Sequence, residues 1–150
     1  MDALTLLKED HDRVKKMLTE LEESTERAVK TRTEGFARLK ADLQVHETIE
    51  EETFYPALKE HAEAKDIVLE AYEEHDVVDT IMGEIEQTPV EDETWAAKFK
   101  VMKENLEHHI EEEEGDMFKQ ARKVMEPAEL DELGERMAER KEQLTGASVS

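Results

Sequence analysis

Cysteine is absent from this chain, which excludes disulfides and any thiolate-ligated metal site. Three prolines and five glycines in 150 residues, with few β-branched runs, leave little material for turns or strands. Positive charge is scarce: 20 lysines and arginines face 41 aspartates and glutamates, a formal net charge of −21. A field of that sign repels nucleic acid and anionic membrane surfaces and attracts cations. No apolar run approaches the roughly 20 residues that a membrane span needs. The first residues, Met1 to Leu4, carry no basic segment ahead of an apolar one, so a secretory leader is not expected and a cytoplasmic protein is.

What remains is rich in Glu, Lys, Ala, Leu and Met, all good helix formers. The expected class is all-α, one domain with one core. Asp2 is placed to cap a first helix in which Leu4, Leu7, His11, Val14, Leu18 and Leu21 recur at steps of three and four; the pattern runs to about Lys30. Thr31 to Glu34 has the form of a capping box and predicts the start of a second helix. Its buried face is Phe36, Leu39, Leu43, His46, Ile49 and Glu50, and Pro56 should disturb it. A third helix is expected over about Asp66–Glu86, and residues 87–91 with Pro89 break it. Asp92 is placed to cap a fourth helix lined by Trp95, Phe99, Met102, Leu106, His109, Ile110, Glu113 and Met117. Gly115 costs that helix about 1 kcal/mol unless it serves close packing. Four long helices with short connections predict an up-down-up-down four-helix bundle over residues 1–125. Pro127 opens a short fifth helix to about Lys141 that packs on the bundle within residues 126–145, and residues 146–150 read as a disordered tail.

The chain also repeats itself. A shift of 63 residues pairs Phe36 with Phe99, Leu43 with Leu106, His46 with His109, Glu50 with Glu113 and Tyr55 with Phe118. Glu9-Asp10-His11-Asp12 resembles Glu73-Glu74-His75-Asp76. Each half therefore contributes one lone histidine and one His-x-x-x-Glu, whose two side chains share a helix face one turn apart. Glutamate fills about one position in five, so a single His-x-x-x-Glu carries little weight, and His108 with Glu112 is read as an accident outside the repeat. His61 has no counterpart and is read as a solvated or capping residue.

Each long helix holds one of His11, His46, His75 and His109 near mid-length, so the four imidazoles can meet at one level of a bundle, joined by Glu50 and Glu113. Buried carboxylates need a cation or several donors. Imidazole and carboxylate ligands without thiolate suit iron, manganese or zinc, and two carboxylates able to bridge favour two ions over one.

Lone His, His-x-x-x-Glu, lone His, His-x-x-x-Glu on four helices resembles the hemerythrin family, in its bacterial HHE cation-binding branch. The Glu50-Glu51 and Phe54-Tyr55-Pro56 context, matched by Glu113-Glu114 and Met117-Phe118, resembles that family as well. The resemblance covers residues 1–125. It implies a non-haem di-iron centre with two iron ions per chain. His11, His46, His75 and His109 would be terminal ligands; Glu50, Glu113 and an oxo or hydroxo group would bridge. Respiratory hemerythrins have a fifth histidine. Here Asp79 stands four residues after His75 and Ala71 four before it. Of about twelve positions on two octahedral irons, about two then stay free for water, Asp79 or Tyr55. An ideal helix turns Tyr55 away from His46, although a distortion at Pro56 would leave it within reach. The implied function is to bind or react with a small oxidant, hydrogen peroxide, dioxygen or nitric oxide, in oxidative or nitrosative stress defence, with a catalase-like consumption of peroxide as one form. The alternative is an iron- or oxygen-responsive sensing or iron-handling module without turnover. The expected partner is the oxidant itself, with no nucleic acid and no membrane, on a monomer or weak homodimer.

Overall fold

The structure is a computed structural model and describes residues 1–146. Among them, helices carry all the regular structure. The first helix, α1 (Ala3–Glu23), starts where Asp2 accepts from the Thr5 N–H at 2.8 Å. It ends about two turns before Lys30, where the sequence pattern predicts its end. Ser24 is extended, and both its N–H and its hydroxyl close on the Leu21 carbonyl, which satisfies an orphan acceptor of the last turn. The second helix, α2 (Val29–Ile49), begins before Thr31, so the capping box is not used. Arg32, inside that box, is instead buried. It donates to Ser24 and to the Val90 carbonyl at 2.6 Å, and lies 4.5 Å over the Trp95 ring. A guanidinium is buried only where its donors and its flat face are both used.

The helix does not break ahead of Pro56. Residues Glu50–Phe54 form a π-helical turn, in which the Tyr55 N–H reaches back five residues to the Glu50 carbonyl, and α3 (Tyr55–Lys59) continues with Pro56 in its first turn. Proline is tolerated there because the widened turn before it departs from the α-helical pairing that would need its missing N–H. A short 3-10 turn, Ala62–Ala64, leads into α4 (Lys65–Glu86). Asp92 caps α5 (Glu93–Glu112) by accepting from the Thr94 N–H. A second π-helical turn, Glu113–Met117, then joins α5 to α6 (Phe118–Val124). Gly115 lies in it and faces open space, so close packing is not its role. The last helix, α7 (Pro127–Thr145), runs one turn past Lys141 and stops at Gly146, whose φ of +72° suits glycine. Residues 147–150 of the expected tail lie outside the described residues.

The buried residues form two apolar clusters. One gathers Leu4, Leu7, Ile49, Phe54, Tyr55, Ala71, Met117, Phe118 and Met137; the other gathers Val14, Leu18, Leu43, Val78, Trp95, Phe99 and Leu106. Each histidine of the repeat sits on the boundary: His11 between Leu7 and Val14, His46 between Leu43 and Ile49, His75 between Ala71 and Val78, and His109 between Leu106 and Met117. A polar layer is thus held between two dry cores. Helix α7 closes the first of them, packing on α1, α2 and the first π turn. No described helix is long and apolar enough to cross a membrane.

Candidate metal centre

The layer is built from the two glutamates outward. Glu50 and Glu113 are fully buried. Glu50 lies 3.3 Å from His46 Nε2 and 3.1 Å from His75 Nε2. Glu113 lies 3.0 Å from His11 Nε2 and 3.4 Å from His109 Nε2. Each glutamate therefore faces its own helix's histidine and the lone histidine of the other half of the chain. These are close approaches, yet His11 Nε2, His46 Nε2, both oxygens of Glu50 and Oε1 of Glu113 have no hydrogen-bond partner. The atoms converge on one another without the directions that hydrogen bonds require. Buried polar atoms left so are costly.

The opposite face of each imidazole is fully used. Nδ1 of His11 donates to Glu114 at 2.7 Å, His46 to Asp10 at 3.0 Å, His75 to Glu51 at 2.6 Å and His109 to Glu74 at 2.7 Å. A carboxylate partner places the proton on Nδ1 and aims the Nε2 lone pair inward, the arrangement that orients metal-binding histidines. Within the buried layer, two groups of donors could each hold an ion: His11, His46, Glu50 and Glu113, and Glu50, His75 and His109. Glu50 belongs to both. Nitrogen and carboxylate ligands arranged this way suit iron, manganese or zinc.

Without a cation, protons hold the layer together. Burial pushes the His46 imidazole down, but Glu50 and Asp10 more than reverse it, to about 10. His75 is carried up to about 9, against burial, chiefly by Glu50, and His109 to about 11, chiefly by Glu113 and Glu74. Burial alone would raise the Glu113 carboxyl, yet Glu50, His109 and His11 beside it hold it well below the usual carboxylate range. Asp10, buried, would likewise rise; His46 and Lys141 hold it well down.

The π-helical turns decide what stands above the layer. Each begins at the glutamate of a His-x-x-x-Glu and widens the helix by one residue per turn. Tyr55 is thereby brought in: its hydroxyl donates to Glu113 at 2.5 Å and lies 3.3 Å from His75 Nε2 and 3.5 Å from His109 Nε2. Burial first, and then the charges of Glu113 and Glu50, keep that phenol protonated. Phe118, its counterpart, stacks on His11 with ring centres 6.3 Å apart.

Asp79 is elsewhere. It is exposed and meets Glu47, whose carboxyl burial and this contact push up to about 9. His61 starts the 3-10 turn, its carbonyl accepting from Ala64. His108 pairs with Glu112 at the surface, 65% exposed. The reading of the sequence missed the roles of Asp10, Glu51, Glu74 and Glu114. Their signal was present in the repeat: Asp10 and Glu74 each precede a lone histidine, and Glu51 and Glu114 each follow a buried glutamate.

On the other side of the histidines, Val14, Leu43, Val78, Leu106 and Ile110 enclose a small cavity with about 10 Å³ open to a water-sized molecule. That is room for about one such molecule.

The model of the Hemerythrin HHE cation binding domain matches residues 2–121. The chain is 36% identical over 118 residues to the uncharacterized protein Rv2633c of Mycobacterium tuberculosis, covering 76% of this chain and 70% of that one, and equally to the uncharacterized protein Mb2666c of Mycobacterium bovis. A crystal structure of a Hemerythrin HHE cation binding domain-containing protein from Mycobacterium kansasii, a homolog of Rv2633c, superposes with a TM-score of 0.86 at 32% identity, covering 99% of this chain and 90% of that one.

Proposed function

The chain belongs to the hemerythrin family, as an HHE cation-binding domain protein, and from that premise we propose that it is a non-haem di-iron protein that binds or reacts with a small oxidant: hydrogen peroxide, dioxygen or nitric oxide. The observation that supports this most is the inward convergence of unpartnered His and Glu atoms in two groups that share Glu50. His11, His46, His75 and His109 would be the terminal ligands, with Glu50 and Glu113 across the pair. Each apolar cluster is met in alternating order along α1, α2, α4 and α5, which supports reading the four as an up-down-up-down bundle around the centre.

Bound iron would supply paired one-electron redox change to the oxidant. The protein's part is to position and to exclude. The outer carboxylates fix each imidazole. The small cavity beside the histidines has room for about one water-sized molecule. Tyr55 occupies the space beside His75 and His109, so it, and not the exposed Asp79, stands where a fifth histidine would serve. Its hydroxyl is a proton source within reach of Glu113. We propose further that it acts in the cytoplasm, in defence against oxidants, without a nucleic-acid or membrane partner.

The test is to load the protein with ferrous iron, count metal by elemental analysis, follow oxygen evolution from peroxide, and record visible spectra of the reduced protein in air. Two irons per chain and peroxide turnover above that of free iron support a catalase-like reaction. A stable, reversible oxygenated spectrum without turnover makes it a carrier. Bound iron with neither behaviour favours a sensing or iron-handling module. One metal per chain sinks the dinuclear reading.

A further inference from the structure

Of the four carboxylates behind the histidines, three are partly open to solvent: the side chains of Glu114, Glu74 and Glu51 are 20%, 21% and 39% exposed. Asp10 is the exception, 2% exposed. It is also the one held closely by two cations, whereas Glu114 has only the half-exposed Lys8 at 3.7 Å. Lys141 Nζ lies 2.5 Å from Asp10 Oδ1, and Arg13 Nη2 donates to the same oxygen at 2.9 Å. That leaves Oδ2 to accept from His46 Nδ1. Lys141 is on α7, outside the residues that match the family model. Gly134 lets α7 come this close. A Cβ there would fall 2.3 Å from the Met1 carbonyl oxygen, so the helix backbone lies directly against the start of α1.

A carboxylate pinned through one oxygen cannot swing, and the imidazole donating to its other oxygen is then held in plane and in direction. Arg13 alone does this less well. It is 42% exposed and its Nε is engaged by Asp42 at 3.0 Å. We propose that Lys141 is a positioning residue of the metal centre, acting through Asp10 on His46, so that the fifth helix sets how firmly the ion at His11, His46, Glu50 and Glu113 is held. The inference rests on the di-iron reading. It makes the two metal positions unequal, since the clamp acts on the first of them.

The experiment compares wild type with Lys141→Met, Lys141→Arg and Arg140→Met, each loaded with ferrous iron and challenged with a chelator. Arg140 is the control for helix docking, because it pairs with the exposed Glu52 next to Lys141. Loss of an outer partner typically weakens metal binding ten- to a hundredfold. Lys141→Met is expected to release one of its two irons about tenfold faster than wild type. Lys141→Arg should restore slow release, and Arg140→Met should match wild type. Melting temperatures are taken with and without iron, and the loss in Lys141→Met should be larger in the loaded protein. Unchanged release, equal release from Lys141→Arg and Lys141→Met, or an equal melting loss in both forms overturns the proposal. Wild type holding one iron per chain sinks the di-iron reading instead. The Lys141 comparison then applies to that iron, and unchanged release sinks it too.

Discussion

In the first half of the chain His46 donates to Asp10, and in the second His109 donates to Glu74, each acceptor lying one residue before a lone histidine. Tyr55 of the first half tilts over His75 of the second, and Phe118 of the second stacks on His11 of the first. The halves follow one pattern and differ at two points. One is a hydroxyl, present on Tyr55 and absent from Phe118. The other is α7, which covers the first half and seals Asp10, whereas Glu74 stays partly exposed and touches Glu112. Duplicated spacing supplies a near-symmetric ligand set; one oxygen atom and one extra helix make it asymmetric. A reaction that must bind an oxidant at one metal and not the other would draw on that inequality.

The comparison can be broken first at the residue the halves share. Glu50 faces histidines of both and belongs to both donor groups, so Glu50→Ala should lose both irons by elemental analysis, while His61→Ala keeps them. If Glu50→Ala retained one iron, the two positions would be independent.

Removing metal should expose a pH dependence. In the metal-free protein the folded pKa values of His46, His75 and His109 lie at about 10, 9 and 11, above the unfolded value of about 6.5. A raised folded pKa contributes stability that is complete below about pH 6.5 and is lost as pH rises through 9 to 11. The melting temperature of the metal-free protein should therefore fall from neutral to alkaline pH, and that of the iron-loaded protein should change less, because metal has replaced the protons. Parallel curves would show that the histidines do not carry the stability of the layer.

The asymmetry of packing is tested at glycines. Gly134→Ala forces α7 off the start of α1 and should cost about 1–3 kcal/mol in thermal unfolding, the usual range for overpacking. Gly83 on α4 has nothing within 4 Å of an added Cβ, and Gly83→Ala should be neutral or stabilising. Equal effects would mean that α7 is not tightly docked.

The smallest change removes the hydroxyl. Tyr55→Phe makes the halves alike and deletes one buried hydrogen bond to the ionised Glu113, worth about 1.5–3 kcal/mol. If Tyr55 binds iron, the ferric protein shows a tyrosinate charge-transfer band that this variant lacks. Identical spectra would leave Tyr55 as a hydrogen-bonding neighbour of Glu113.

Much of the fold was legible because it is local. The steps of three and four in α1 and α5, the bounds of α4 and the caps at Asp2 and Asp92 need only their own segments, and the structure has them. The misreadings came where a distant group competes. Arg32 was assigned to a capping box and is taken by Ser24, Val90 and Trp95, the second of these 58 residues away. The widened turns after Glu50 and Glu113 also went unread. Buried Thr53, Phe54 and Tyr55 in succession, and the adjacent Met117 and Phe118, were their sign, since three neighbours cannot share one face of an α-helix.

By itself the sequence determined an all-helical chain, a repeat of 63 residues, and a His and Glu set spaced to share helix faces, because periodicity and i,i+4 geometry are properties of a single helix. Tertiary structure decided the rest. Which carboxylate accepts from each Nδ1 depends on how helices meet, as with His11 and Glu114, 103 residues apart. Tyr55 reaches the layer through a π-helical turn that no i,i+4 pattern marks. Lys141 finds Asp10 across 131 residues. No local pattern marks such a pair; it exists only once α7 lies against α1, where a buried carboxylate must be neutralised by whatever cation the docked helix presents.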